Sequence, residues 1–272
     1  MKIFISSDIE GVAGVVHGEQ GRNGNPEYER ARRLMTAEVN AAAAGAFEGG
    51  ATEILVNDSH GGMRNLLPDD LDPRLRILLG KPKPMSMMEG LTPEFDAVFA
   101  LGYHARARSH GILAHTINGF AFGRITVNGR ELGESGLYGA LAGEIGVPVV
   151  LFSGDDCLKA EVTPLFPGAE VVEVKRAIMS SAAESMSPKA ARAAIQEAAR
   201  RAVGRTKDVK PLRIPPPITV RLELNTVALA DLMSLLPGTE RVAPEVLTYT
   251  AGSMFSAIRT LNCFSAMSFM LR

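Results

Sequence analysis

Asp8 and Glu10 in Ser7-Asp8-Ile9-Glu10-Gly11, His60 in Asn57-Asp58-Ser59-His60-Gly61-Gly62, and His104 in Gly102-Tyr103-His104 are carboxylates and imidazoles that each follow an apolar run. Residues two apart at a strand end point to the same side, so Asp8 and Glu10 converge. Converging carboxylates repel each other unless a cation lies between them. Imidazoles at two equivalent strand ends add ligands, and a carboxylate–imidazole set without thiolate suits zinc or a related divalent transition metal rather than calcium. A lone Asp-x-Glu is more often a solvated strand end, and a lone histidine more often a hydrogen-bonded structural residue. Agreement among three strand ends is what points to a metal.

Glu134, in Gly129-Arg130-Glu131-Leu132-Gly133-Glu134-Ser135, is a fifth candidate. Its alternative is an acidic residue favouring a helix dipole. His115, in Leu113-Ala114-His115-Thr116, follows another apolar pair, whereas His17 and His110 fall in polar or glycine-rich loops and are expected at the surface. Asn57 and Asp58 are candidates for fixing the tautomer of His60, the alternative being a polar loop. Other templates fit less well. Gly11-Val12-Ala13-Gly14 lacks the G-x-G-x-x-G pattern, and no G-x-S-x-G elbow occurs. Cys157 has no base nearby in sequence and reads as a packed thiol.

The elements that must position these groups are parallel strands. Lys2–Ile5, Glu53–Val56 and Asp96–Leu101 are apolar runs of the kind buried on both faces. In open α/β sheets, ligands bind outside the carboxyl ends of such strands. A helix is expected from Asn25-Pro26 to Gly49-Gly50, a short strand at Leu75–Leu79, and a surface connection at Lys81-Pro82-Lys83-Pro84. Phe120–Val127 and Arg130–Leu132, joined by Asn128-Gly129, read as a hairpin with a type I′ turn. A helix at Ser135–Ile145 then leads into the strand Val147–Phe152. Ser187-Pro188 starts a helix ending near Gly204, and Ile218–Leu224 is a further strand. The expected fold is α/β, a mostly parallel sheet flanked by helices, with residues 1–160 as the metal-binding catalytic domain. Residues 161–272 are expected to form a smaller α/β region serving packing and oligomerisation.

The chain has 272 residues, 46% of them hydrophobic, enough for one large or two modest cores, and its net charge of −1 gives no footprint for nucleic acid or an anionic membrane. The tail Ser253–Leu271 carries Arg259, Asn262 and several serines, too polar to span a bilayer; it reads as a packed helix or oligomer surface. Two distant cysteines fit a reducing compartment, and an N-terminus that enters a strand at once suggests no secretory leader. A cytoplasmic protein is the expectation.

Taken in order, Ser7-Asp8-Ile9-Glu10-Gly11, Asn57-Asp58-Ser59-His60-Gly61, Gly102-Tyr103-His104-Ala105, His115-Thr116 and Gly133-Glu134 resemble the DppA-type zinc D-aminopeptidases. The likeness continues through Gly146-Val147-Pro148-Val149, Ser153-Gly154-Asp155-Asp156 and Val174-Lys175, and more thinly at Pro237-Gly238 and Thr248-Tyr249. The resemblance implies two zinc ions per subunit bridged by Asp8, with Glu10 and His104 completing one set of ligands and His60 and Glu134 the other. It implies His115 as the catalytic residue, a short peptide as substrate, and a ring-shaped homo-oligomer, pentamer or decamer, with active sites facing an internal channel. The stretch Arg106-Ala107-Arg108-Ser109-His110 departs from the small, uncharged residues of relatives and bears on substrate preference. The same residues also suit an amidase, deacylase or L-peptide hydrolase. A non-catalytic peptide-binding protein of a transport system is a further reading, which the presence of all five ligands argues against.

Overall fold

The computed structural model describes residues 1–272. In chain order its first half contains β1 (Lys2–Ser7), α1 (Pro26–Glu48), β2 (Glu53–Asp58), β3 (Arg76–Leu78), β4 (Ala97–Leu101), the hairpin β5 (Phe122–Val127) and β6 (Arg130–Glu131), and α2 (Glu134–Ile145). There follow β7 (Val149–Asp155), α3 (Asp156–Val162), β8 (Glu170–Met179), β9 (Ala182–Ser185) and α4 (Pro188–Val203). The chain closes with β10 (Ile218–Leu224), α5 (Val227–Met233), β11 (Thr239–Ala243), β12 (Val246–Ala251) and α6 (Met254–Ser268).

Local chemistry explains the helix ends. Asn25 accepts the Tyr28 N–H and Pro26 occupies the first turn of α1; Ser187 accepts the Ala190 N–H ahead of Pro188 in α4. Both match the expected helices. In the β5–β6 turn, Asn128 and Gly129 both have positive φ, 47° and 82°, as a type I′ turn demands.

Seven strands form one sheet in the order β3-β2-β1-β4-β7-β8-β9, parallel except for the edge strand β9. The chain leaves β1 toward β2 and β3, then returns to the other side for β4, β7 and β8. The carboxyl ends of β1 and β4 therefore flank the point where strand order reverses, where such sheets hold their ligands. Side chains alternate between two cores. Ile3, Ile5, Ile54, Val56 and Phe99 face α1 and α4 through Met35, Val39, Ile195 and Ala199. Phe4, Leu55, Val98 and Ala100 face α2, α6 and a second sheet.

That second sheet, antiparallel and ordered β11-β12-β10-β5-β6, unites the early hairpin with the late strands. β10 shows the alternation of a one-sided sheet, burying Ile218, Val220, Leu222 and Leu224. The amphipathic α6 packs Met254, Ile258, Leu261 and Phe264 inward, and the turn after it leaves Phe269, Met270 and Leu271 exposed. No helix is long and apolar enough to cross a membrane. Cys157 and Cys263 are free thiols.

Candidate metal centre

Three strand ends are laced together before any ligand is placed. The Asp8 N–H donates to the Leu101 carbonyl and the Gly11 N–H to the Gly102 carbonyl, binding the exit of β1 to that of β4. A β-carbon on Gly11 would overlap the Tyr103 carbonyl oxygen, and Gly102 sits at φ 66° against the Asp8 carbonyl, so both positions require glycine. Beneath the rim, Ser6 Oγ hydrogen-bonds both Ser59 Oγ and Tyr103 OH, each at 2.7 Å. One buried hydroxyl thus ties together the residue before His60, the residue before His104 and the strand that carries Asp8.

On this frame Asp8, Glu10, His104 and Glu134 are buried, and His60 and His115 stand at the mouth, with side chains 14% and 27% exposed. The two oxygens of Asp8 face different imidazoles: Oδ1 lies 3.3 Å from His60 Nδ1, and Oδ2 lies 3.6 Å from His104 Nε2. Glu10 Oε2 is 3.1 Å from His60 Nδ1, and Glu134 Oε1 is 3.4 Å from His104 Nε2. Donor atoms of Asp8, Glu10 and His104 all fall within 4.8 Å of one another, as do those of His104, His115 and Glu134.

Backbone carbonyls set the tautomers. His60 Nε2 donates to the Gly21 carbonyl at 2.8 Å, His104 Nδ1 to that of Ala105 at 2.9 Å, and His115 Nδ1 to that of Leu113 at 3.0 Å. Each remaining ring nitrogen faces carboxylate oxygens, a contact that is favourable only with a proton or a metal ion between them. His104 Nε2 is buried without a hydrogen-bond partner. The electrostatics register the same deficit. Burial and then the Glu10 charge push the Asp8 carboxyl up to about 8. Burial also opposes charge on His60 and His104, yet the surrounding carboxylates outweigh it and hold both rings well above the ordinary imidazole range. Burial likewise opposes ionisation of Glu10, but the nearby imidazoles outweigh it and keep that carboxyl well below its usual value. A divalent cation fills such a deficit, and donors 3.1–3.6 Å apart are spaced like ligands of one ion bound at about 2.1 Å. The residues present fit zinc.

Asn57 and Asp58 do not touch the His60 ring, contrary to the expectation that they fix its tautomer; the Gly21 carbonyl does so. Asp58 instead accepts the backbone N–H groups of Asn65 and Leu66 and the Asn65 amide, and Asn65 donates to the His60 carbonyl. The Lys81–Pro84 connection lies at the surface as read, with Lys81, Pro82 and Pro84 exposed, except that Lys83 turns inward. Its Nζ donates to Asn57 Oδ1 at 2.7 Å and the Asp58 carbonyl at 2.9 Å, and burial draws the ammonium down to about 8. Lys175 contacts the loop that follows β1 in a similar way. Neither lysine stands out in the sequence as a site residue, since Lys83 lies two residues from Lys81 between prolines and Lys175 sits close to Glu173 and Arg176. His17 and His110 are exposed, as expected. Arg106 pairs with Glu131 and Glu161, and Arg108 with Glu223, so the charged loop after His104 is neutralised by neighbouring carboxylates.

Buried carboxylates and imidazoles converging at the switch point of an α/β sheet are the architecture of a metallohydrolase. The model of the M55 peptidase family, described as D-aminopeptidase, matches residues 1–263, and the chain belongs to that family of peptide-bond hydrolases. It is 37% identical over 267 residues to the D-aminopeptidase of Bacillus subtilis (strain 168), covering 98% of this chain and 95% of the relative. A solved structure described as the Zn-dependent D-aminopeptidase DppA from Bacillus subtilis, a self-compartmentalizing protease, superposes with a TM-score of 0.96 at 34% identity. It covers 99% of this chain and 98% of the other.

Proposed function

We propose that this chain is a two-zinc aminopeptidase that hydrolyses the amide bond after the free N-terminal residue of short peptides or amino-acid amides, with preference for D residues. The observation that carries the reading is the division of the Asp8 carboxylate between His60 on one side and His104 on the other, the posture of a bridging ligand. Asp8, Glu10, His60, His104 and Glu134 would hold the two ions between them. When bound, paired ions of this kind polarise the scissile carbonyl and lower the pKa of water toward neutrality.

The chain's own groups do the rest. Leu113 holds His115 with its Nε2 lone pair facing the site, 3.6 Å from Glu134 Oε1, where it can accept a proton or engage the reacting carbonyl. The Ile117 N–H donates to Glu134 Oε1 at 2.6 Å and fixes that carboxylate. Partial exposure of His115 lets substrate reach it, while burial of Asp8, Glu10 and His104 keeps bulk water from their charges. We also assign a cytoplasmic location and a ring-shaped homo-oligomer, a pentamer or decamer. The exposed Phe269, Met270 and Leu271 offer apolar surface for such an assembly.

The test is metal analysis of the purified protein beside a panel of D- and L-aminoacyl amides and N-acylated amines. Two zinc ions per chain and turnover confined to free-amine D substrates are expected. Full activity after exhaustive chelation sinks the metal reading, and preference for L or acylated substrates sinks the substrate reading.

A further inference from the structure

Lys175, on β8, is buried with 3% of its surface exposed and lies 165 positions from Glu10. Its Nζ donates to three backbone carbonyls, those of Glu10, Val12 (3.0 Å) and Val15, which uses all three ammonium protons. The loop it grips is buried at Glu10, Gly11, Val12, Ala13 and Val15, so these carbonyls are out of reach of water and need protein donors. On the same loop Glu38 Oε1 accepts the Ala13 N–H at 2.9 Å. The turn after Glu10 is thus folded around an ammonium from a distant strand and pinned by a carboxyl group from α1.

We propose that Lys175 is a positioning residue of the metal centre: by gripping the Glu10–Val15 loop it fixes the direction in which Glu10 presents its carboxylate. The inference rests on the two-zinc reading above. One of its three bonds is to the carbonyl of Glu10 itself, so losing the ammonium frees the backbone of a ligand. Asp8, held by the Leu101 carbonyl through its own N–H, does not depend on Lys175. Lys175 therefore acts selectively on the ion that Glu10 ligates.

The experiment compares wild type, Lys175→Met, Lys175→Gln and Ile195→Ala by zinc stoichiometry, by stepwise zinc affinity against a chromophoric chelator, and by thermal unfolding. Ile195 is a fully buried core residue of α4, outside the ligand set and without a hydrogen bond to the Glu10–Val15 loop, and controls for general destabilisation. Lys175→Met is expected to weaken one of the two zinc sites by about 10–100-fold, the range for losing an outer partner of a ligand, and to leave the other unchanged. Lys175→Gln, which keeps amide donors, is expected to weaken the same site less, and it carries the test if Lys175→Met does not fold. Ile195→Ala is expected to lower the melting temperature with both affinities intact. Unchanged affinities in a folded Lys175 variant, or equal weakening of both sites, overturn the proposal. Wild type holding fewer than two zinc ions overturns the two-zinc reading instead.

Discussion

His104 and His115 stack face to face, their ring centroids 4.2 Å apart and their planes 12° from parallel. Both rings donate Nδ1–H to a carbonyl one or two residues away, and both turn Nε2 toward Glu134 Oε1, at 3.4 and 3.6 Å. They differ in access: His104 is sealed and His115 is half-buried. The same imidazole chemistry is thereby divided into an inner group suited to holding an ion and an outer group suited to meeting substrate.

His115→Ala is expected to retain both zinc ions and lose turnover by about 10²–10⁴-fold, the usual worth of a positioned proton-transfer group. His104→Ala is expected to lose zinc. Metal content and kcat measured on the same preparations check the pair, and extensive zinc loss in His115→Ala would recast His115 as a ligand.

Asp8→Ala is expected to abolish both zinc sites, whereas Glu10→Ala is expected to empty chiefly one. The bridging assignment fails if the two variants bind equal amounts of zinc.

Gly11→Ala is expected to cost about 3 kcal/mol, the upper end for forcing an extra carbon into a close-packed site, since the new β-carbon overlaps the Tyr103 carbonyl oxygen. Denaturant unfolding measures the loss. Zinc affinity is expected to fall with it, because the Tyr103 backbone leads directly into His104.

Burial raises the Glu38 carboxyl to about 7, against the opposing effects of the Ala13 hydrogen bond and the Lys175 and Arg192 charges. The folded protein then holds a proton that the unfolded chain releases near pH 4.5. The stabilisation it confers is complete below the unfolded value and is lost as pH rises through about 7, by roughly 3 kcal/mol. Glu38→Gln cannot titrate, so its stability curve between about pH 5 and pH 8 is expected to be flatter than that of wild type. Parallel curves for the two proteins would contradict this.

Much of the frame is written locally. Asn25-Pro26 and Ser187-Pro188 announce their helices through cap chemistry, and the apolar runs Lys2–Ile5, Glu53–Val56 and Asp96–Leu101 mark the strands whose ends carry Asp8, His60 and His104. What is not written locally is long-range pairing. The β5 hairpin reads as an independent unit, but Val127 pairs with Val220 and Ile125 with Leu222 in a sheet whose other strands come late in the chain. The Gly21 carbonyl that orients His60 is likewise invisible, because every residue has a carbonyl and only the fold selects one. Lys83 sits between prolines in a stretch that reads as exposed; its inward turn follows from the unpaired Asn57 and Asp58 oxygens at the end of β2.

The grip of Lys175 on Glu10 also has a consequence for the order of events during synthesis. A nascent chain that has displayed Asp8, Glu10, His60, His104 and Glu134 still lacks β8, and with it the ammonium around which the Glu10 loop folds. On the proposal above, partial chains present Glu10 without its final geometry, and the zinc site that Glu10 serves is expected to reach full affinity only once β8 has joined the sheet. Loading of that site is thereby tied to the synthesis of β8 rather than to that of Glu134, the last of the ligands in the chain.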